Sequence, residues 1–237
     1  MTNKTINFDS NPPVATNEYD TMAQRVLPGY EVMHTMALSV LKATLPEKAN
    51  LLIVGAGSGM ELVKFGKGNL QWQMLGVDPS SNMLAIAQQK IEQHGLSEQV
   101  ELFTGYTHDL NTTSLYDAAT SILVMHFLPD DGSKLAFLQD IAQRLKSSAT
   151  LILVDMYGER GTPEFERMIS IIKVFWQEMG IDDTVKIREF LETMNKSVYP
   201  IPEMRVMELL QQAGFGNILR FYTGLWTGGW VATKNSW

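Results

Sequence analysis

Leu51-Leu52-Ile53-Val54-Gly55-Ala56-Gly57-Ser58-Gly59 sets the fold expected of this chain. A short apolar run bounded by glycine reads as a buried strand, here Leu51 to Val54. The glycines then open a helix, Ser58 to Phe65. Strand, glycine turn and helix in that order are the setting in which such a loop carries meaning. The glycines permit a tight turn and close approach by a ligand, and the helix N-terminus offers free N–H donors. Glycines in a strand-to-helix turn can equally serve packing alone.

Outward from the loop the rhythm continues. Gln73 to Val77 is a second strand, and Ser81 to Gln93 a helix with Met83, Leu84, Ala87 and Ile91 as its buried stripe. Val100 to Phe103, Ala118 to Val124 and Leu151 to Met156 complete five strands, with a helix over Gly132 to Leu145 between the last two. Alternation of this kind predicts a parallel sheet covered by helices on both faces, wound by right-handed crossovers. Later, Pro163 to Met179, Asp182 to Asn195 and Glu203 to Ala213 read as amphipathic helices. Ile218 to Tyr222 and Trp230 to Thr233 read as strands joined across a turn-rich Thr223 to Gly229, an antiparallel hairpin at one sheet edge. Before the sheet, Tyr19 to Leu45 has helical spacing broken at Pro28-Gly29. The polar first eighteen residues form an arm. The resulting division is an N-terminal arm and helical cover over 1–48, then a ligand-binding domain over 49–237 with a helical insertion at about 159–200.

Composition narrows the function. The 237 residues are 45% hydrophobic and 19% charged, the mixture of a globular protein. No run approaches the ~20 apolar residues of a membrane span. Met1 to Ser10 lacks the apolar core of a signal peptide, so a cytoplasmic location is the default. The absence of cysteine excludes disulfides, thiolate catalysis and cysteine metal sites. His34, His94 and His108 lack metal-ligand spacing, and no metal is expected. A net charge of −7 opposes direct nucleic-acid or anionic-membrane binding. A small-molecule substrate fits best. The apolar helical cover would serve as a lid or pair two subunits in a homodimer.

Asp78 sharpens the ligand. It ends the second strand, nineteen residues after Gly59, where a carboxylate accepts hydrogen bonds from both ribose hydroxyls of an adenosine. Capping of the following helix is the plainer use for the Asp78-Pro79-Ser80-Ser81 turn. The third glycine stands one place early for a dinucleotide fingerprint, and the Gly-Lys-Ser/Thr of a P-loop is absent. With the terminal hairpin, this pattern resembles the class I S-adenosylmethionine-dependent methyltransferases over about Ala49 to Ala213. The resemblance implies a Rossmann-like seven-stranded α/β sheet, mostly parallel with an antiparallel C-terminal hairpin strand, beneath helical N-terminal and insertion cover. It implies S-adenosyl-L-methionine as cofactor, with Gly55, Ala56, Gly57 and Gly59 at its methionine part and Asp78 at its ribose. Pro79, Met83, Tyr106, Thr107 and Val124 complete the implied cofactor site, with the loop near Gly105 to Leu110 flanking adenine. Two positions depart from the family. Ile53 stands where an acidic residue two places before the first glycine helps orient the cofactor's ammonium group, and Tyr106 replaces an Asp.

Gln24-Arg25-Val26-Leu27-Pro28-Gly29-Tyr30 looks like the R-x-x-P-G-Y segment of the carboxy-S-adenosylmethionine synthases. By that resemblance Tyr30 approaches the cofactor, and an arginine of the insertion, Arg188, meets an added carboxylate. Methyl transfer to a small molecule is the leading expectation. Carboxyl transfer onto the cofactor and non-catalytic cofactor binding are the alternatives.

Methyl transfer requires mainly placement and exclusion of water, with a base only where the acceptor loses a proton. Candidates lie beyond the carboxyl ends of the strands. His126 and Tyr157 are the catalytic candidates, and Arg188, Tyr199 and Trp226 the substrate candidates. His126 packing beside Phe127, Arg188 as a solvated helical charge, and Trp176 as core packing are the competing readings.

Overall fold

The computed structural model describes residues 8–10, 18–111, 113–181 and 184–236. Helices α1 (Tyr19–Val26) and α2 (Tyr30–Thr44) precede the alternating elements β1 (Asn50–Val54), α3 (Met60–Gly68), β2 (Gln73–Asp78), α4 (Ser81–Gln93), β3 (Val100–Thr104) and β4 (Tyr116–Ile122). Then follow α5 (Ser133–Gln143), β5 (Leu145–Met156), α6 (Pro163–Glu178), α7 (Thr184–Ser197), α8 (Glu203–Gln212), β6 (Phe215–Gly224) and β7 (Thr227–Lys234). The break between α1 and α2 falls at Pro28-Gly29, as the sequence predicts, with Gly29 at φ +68° starting α2. The Tyr222 hydroxyl donates to the Pro28 carbonyl and ties this turn to β6.

The seven strands form one sheet in the order β3-β2-β1-β4-β5-β7-β6. Strands β1 to β5 are parallel, and β7 runs antiparallel between β5 and β6. The last strand is therefore inserted into the sheet, and the edge belongs to β6. The hairpin also differs from the sequence reading in its turn. Pairing runs to Gly224↔Thr227, so the connection is only Leu225-Trp226 rather than Thr223 to Gly229. Glycine is compatible with extended backbone, and Gly228 and Gly229 lie within β7 because large side chains, Trp230 and Phe221, occupy the space a Cβ would need.

Alternation along the strands splits the core. Leu51, Ile53, Ala118, Ile152 and Val154 face one layer with α2, α3 and α4; Leu52, Val54, Ala119, Leu151 and Leu153 face the other with α5 and α8. Val26, Met156, Ile172, Trp176, Ile187 and Trp226 form a third cluster beyond the carboxyl ends of the strands. The insertion is anchored there. Thr162 caps α6 by accepting from the Phe165 amide, Pro163 starts it, and Trp176 Nε1 donates to the Val26 carbonyl at 2.9 Å. Among the described residues no helix is long and apolar enough to cross a membrane.

Candidate active site

The glycine loop begins where β1 ends. Gly55, Gly57 and Gly59 have φ of +75°, +50° and +83°, the left-handed region that favours glycine. Their spatial demands differ. A Cβ on Gly55 would collide with Val124, and one on Gly59 would lie 2.9 Å from the Ala87 Cβ. Gly59 thus lets α3 and α4 approach closely. At Gly57 the nearest atom to a Cβ would be Met83 Cε at 3.6 Å, leaving a cradle beside a buried methionine.

Asp78 closes this cradle. One carboxylate oxygen accepts from the Gly57 amide at 2.9 Å and the other from the Ser80 amide at 2.8 Å. Asp78 therefore shapes the turn before α4, and each of its oxygens keeps a second lone pair. Burial pushes its carboxyl above the usual carboxylate range, and the two amides oppose that. Pro79 beside it is exposed, while Met83 and Thr107 are buried. Tyr106 is 55% exposed and stacks on His108 with ring centroids 5.3 Å apart. Its amide donates to Asp109 at 2.8 Å, so the nearby acid serves the turn itself.

Side chains that sequence spacing does not reveal complete the cleft. Asp20 of α1 accepts from Ser58 Oγ at 2.5 Å and pairs with Lys90 of α4. Asp9 accepts from the amides of Ser81 and Asn82 and the hydroxyl of Ser80, negative charge at the start of α4. Burial pushes the Tyr19 hydroxyl up to about 12, reinforced by Asp20, Asp78 and Glu61, all of which act on it. Tyr30 is buried edge-on to His34, its hydroxyl raised by burial and by Tyr19, Asp20 and Glu61.

Next to this cleft lies an apolar cavity of about 90 Å³, walled by Phe8, Tyr19, Leu123, His126, Phe127, Met156, Trp176 and Trp226 among others. Its floor follows from one backbone feature. Leu123 has φ +63°, a left-handed conformation costly for a branched side chain. The kink ends β4, sets Val124 against the glycine loop and starts a single 3-10 turn, Met125–Phe127. His126 in that turn is 4% exposed, and its Nδ1 contacts the Asp155 carboxylate at the end of β5. Asp155 is 1% exposed, and its other oxygen has no partner among the described residues. Lys134, itself buried, donates to the Met125 carbonyl at 2.8 Å, and Asp155 holds its ammonium up against the lowering effect of burial.

The structure brings His126 and Trp226 into one wall but separates Tyr157 and Arg188 from them. The Tyr157 side chain belongs to the opposite face of β5, where the Arg220 guanidinium lies 4.4 Å above its ring and Trp230 packs edge-on. Strand alternation places it there: Met156 faces the cavity and Tyr157 faces away. Arg188 is exposed on α7 and does not line the cavity. Tyr199 is half-buried, and its amide donates to the His126 carbonyl, which supports the turn from behind. The reading of Trp176 as core holds, although it also lines the cavity. His126 packs on Phe127 with centroids 4.2 Å apart, so packing and an oriented imidazole coexist. Asp182, Asp183 and residues 11–17, part of the expected arm and insertion, lie outside the described residues.

The mostly parallel sheet, the glycine turn and the carboxylate ending β2 define a Rossmann-like fold of the nucleoside-binding kind, with an apolar cavity beyond its strand ends. The methyltransferase-domain family matches residues 52–151, and this match supports the likeness to the class I S-adenosyl-L-methionine-dependent methyltransferase superfamily. The chain is similar to the carboxy-S-adenosyl-L-methionine synthase of Campylobacter hominis, 24% identical over 213 residues, 90% of this chain and 87% of that protein. Among solved structures it resembles an O-methyltransferase family protein from Burkholderia thailandensis, with a TM-score of 0.65 and 15% identity over 94% of this chain. The chain spans only 60% of that protein's length. It also resembles a methyltransferase of the same cofactor from Methanosarcina mazei, with a TM-score of 0.60 and 17% identity, covering 83% of this chain and 97% of that one.

The residues present fit the superfamily's cofactor, S-adenosyl-L-methionine. Asp78 has free lone pairs for a ribose, Gly57 leaves an open cradle, and Met83 gives an apolar bed for a purine.

Proposed function

We propose that this chain transfers the methyl group of S-adenosyl-L-methionine to a small, largely apolar molecule bearing an ionisable hydroxyl. When bound, the cofactor supplies a methyl group already activated on a sulfonium. Asp78 and the glycine loop would hold it, and Tyr19, Phe8 and the insertion helices would exclude water from the adjoining cavity. The observation that carries the reading is His126 in the wall of that cavity with its Nδ1 on the buried Asp155. A carboxylate at Nδ1 fixes the tautomer in which Nε2 is the ring's proton acceptor. Asp155 would then stabilise the imidazolium as His126 takes the hydroxyl proton. A general base of this kind contributes ~10²–10⁴-fold to rate.

A cavity of about 90 Å³ is smaller than the ~300 Å³ of ordinary ligand pockets, so an acceptor of drug-like size enters by displacing Phe8 or α1. The test is calorimetry with S-adenosyl-L-methionine and S-adenosylhomocysteine, followed by mass spectrometry of a panel of phenols and other hydroxylated apolar compounds. Binding of both nucleosides and one added methyl unit on a panel member support the reading. No binding at millimolar concentration sinks it.

The similarity to carboxy-S-adenosyl-L-methionine synthases favours a second reading, carboxyl transfer onto the cofactor. Such a reaction needs cations to hold carboxylates, and among the described residues the cavity wall has no arginine or lysine. Arg160 is occupied by the carbonyls of Met194, Asn195 and Val198. Mass spectrometry of nucleoside copurifying with the protein separates the two, since a carboxylated cofactor is heavier by one carboxyl unit.

A further inference from the structure

A carboxyl buried beside the glycine loop has no part in the reaction above. Glu61, in the first turn of α3, is 5% exposed and accepts from Thr120 Oγ1 at 2.5 Å. It makes no ion pair among the described residues. Thr120 on β4 stands in register with Ile53 on β1, and both point into the α2–α3 side of the sheet. The Glu61 carboxyl therefore enters, from the helix, the space next to the strand position that is aliphatic here.

The groups facing this region are few. From α1 come Tyr19 and Asp20; from α2, Tyr30, with Glu31 and His34 beyond it; from α3, Lys64; from α4, Lys90; from β4, Thr120; from β2, Asp78. Lys90 is engaged by Asp20, and the effect of Lys64 falls on His34. Among the described residues no cation offsets Glu61, and burial pushes its carboxyl up to about 8. An acid so placed gains most from a positive charge delivered by a ligand. The cleft is polarised to match: Asp78 bonds Gly57, Asp20 bonds Ser58, and Glu61 follows three residues on. A nucleoside held with its ribose at Asp78 and its amino-acid tail along the loop would bring its ammonium group to the Asp20–Glu61 end.

We propose that Glu61 is the carboxylate that receives the α-ammonium group of the bound cofactor, supplied from α3 in place of the acid that β1 lacks at Ile53. This rests on the cofactor reading given above. It makes binding proton-linked, because Glu61 gives up its proton as the ammonium arrives.

The test is calorimetry on the whole chain, wild type and Glu61→Gln, with two ligands. S-adenosylhomocysteine carries the ammonium, and 5′-methylthioadenosine is the same kind of thioether nucleoside without the amino-acid tail. Glutamine keeps the volume and the Thr120 hydrogen bond. The expected result is at least about tenfold weaker binding of S-adenosylhomocysteine with 5′-methylthioadenosine unchanged. At pH 7 the wild type should release a proton on binding S-adenosylhomocysteine, seen as an enthalpy that varies with the buffer's ionisation enthalpy, and the variant should not. Equal loss for both ligands would show a merely structural role, and no loss for either would show none; each overturns the proposal. Selective loss in Asp20→Asn but not in Glu61→Gln assigns the ammonium to Asp20 and also overturns it. If the wild type binds neither nucleoside, the cofactor reading itself falls and takes this proposal with it.

Discussion

Asp78 and Gly57 are joined by a 2.9 Å hydrogen bond from the glycine amide to the carboxylate, twenty-one residues apart in sequence. The end of β2 and the middle of the glycine loop are thereby latched together, and the proposed ribose contact would depend on the same side chain as the loop shape.

Asp78→Ala should consequently fail in two ways. Loss of charge-assisted hydrogen bonds to the ribose weakens S-adenosylhomocysteine binding by about 1–3 kcal/mol. Loss of the bonds to the Gly57 and Ser80 amides lowers the ligand-free stability by about 1–2 kcal/mol. Calorimetry reads the first and urea unfolding the second. Weakened binding at unchanged stability would mean that the latch between loop and strand contributes nothing.

The loop glycines should separate cleanly. Gly59→Ala combines a left-handed backbone with a Cβ 2.9 Å from Ala87, so about 2–5 kcal/mol of destabilisation is expected. Gly57→Ala meets no atom closer than 3.6 Å and should cost only the backbone strain, about 1–2 kcal/mol. Unfolding midpoints of the two variants give the order directly.

The contrast between these glycines shows what the sequence carries and what it does not. Local signals sufficed for the order of the strands, the glycine loop, the place of Asp78 at the end of β2 and the break at Pro28-Gly29, because period, turn chemistry and chain order are encoded within a few residues. The cleft's remaining groups arrive from far along the chain. Asp20 meets Ser58 across thirty-eight positions, Thr120 meets Glu61 across fifty-nine, and His126 meets Asp155 across twenty-nine. Glu61 on α3 reads in isolation as an ordinary first-turn acid favoured by the helix dipole. Only the β1–β4 register puts it beside Ile53. Tyr157 shows the converse: its position at a strand end is legible, but the face it takes is decided by strand alternation and by Arg220.

His126 and Asp155 should behave as one catalytic unit. With an acceptor from the panel, His126→Ala should lower kcat by about 10²–10⁴-fold, and Asp155→Asn should do so by a comparable factor. The double variant should be little worse than either single one, since interacting groups are non-additive. S-adenosylhomocysteine affinity should stay within about twofold in all three, because neither residue belongs to the loop or the ribose contact. Additive losses would separate Asp155 from His126.

Arg188 distinguishes methyl from carboxyl chemistry. It is exposed on α7 and outside the cavity wall, so Arg188→Ala should leave both nucleoside affinity and methyl transfer unchanged. A selective loss of affinity for a carboxylated sulfonium, measured by calorimetry, would instead bring α7 over the site and support the carboxyl-transfer reading.

Glu61 also sets a pH dependence of stability that needs no ligand. Its carboxyl titrates at about 8 in the folded protein, against 4.5 for an ordinary glutamate, because burial disfavours the charged form. Between those values the folded chain holds a proton that the unfolded chain has lost. Its contribution is therefore fully present below about pH 4.5 and declines as pH rises towards 8. Thr120 continues to bond the glutamine amide in Glu61→Gln, so the variant mimics the protonated acid at every pH. The two proteins should unfold at similar urea concentrations at pH 5. They should diverge through neutrality, with the variant more stable at pH 8.5 by an amount on the order of a few kcal/mol. Parallel stability curves across this range would mean that Glu61 is already ionised in the folded protein, and that a cation or water bonds it.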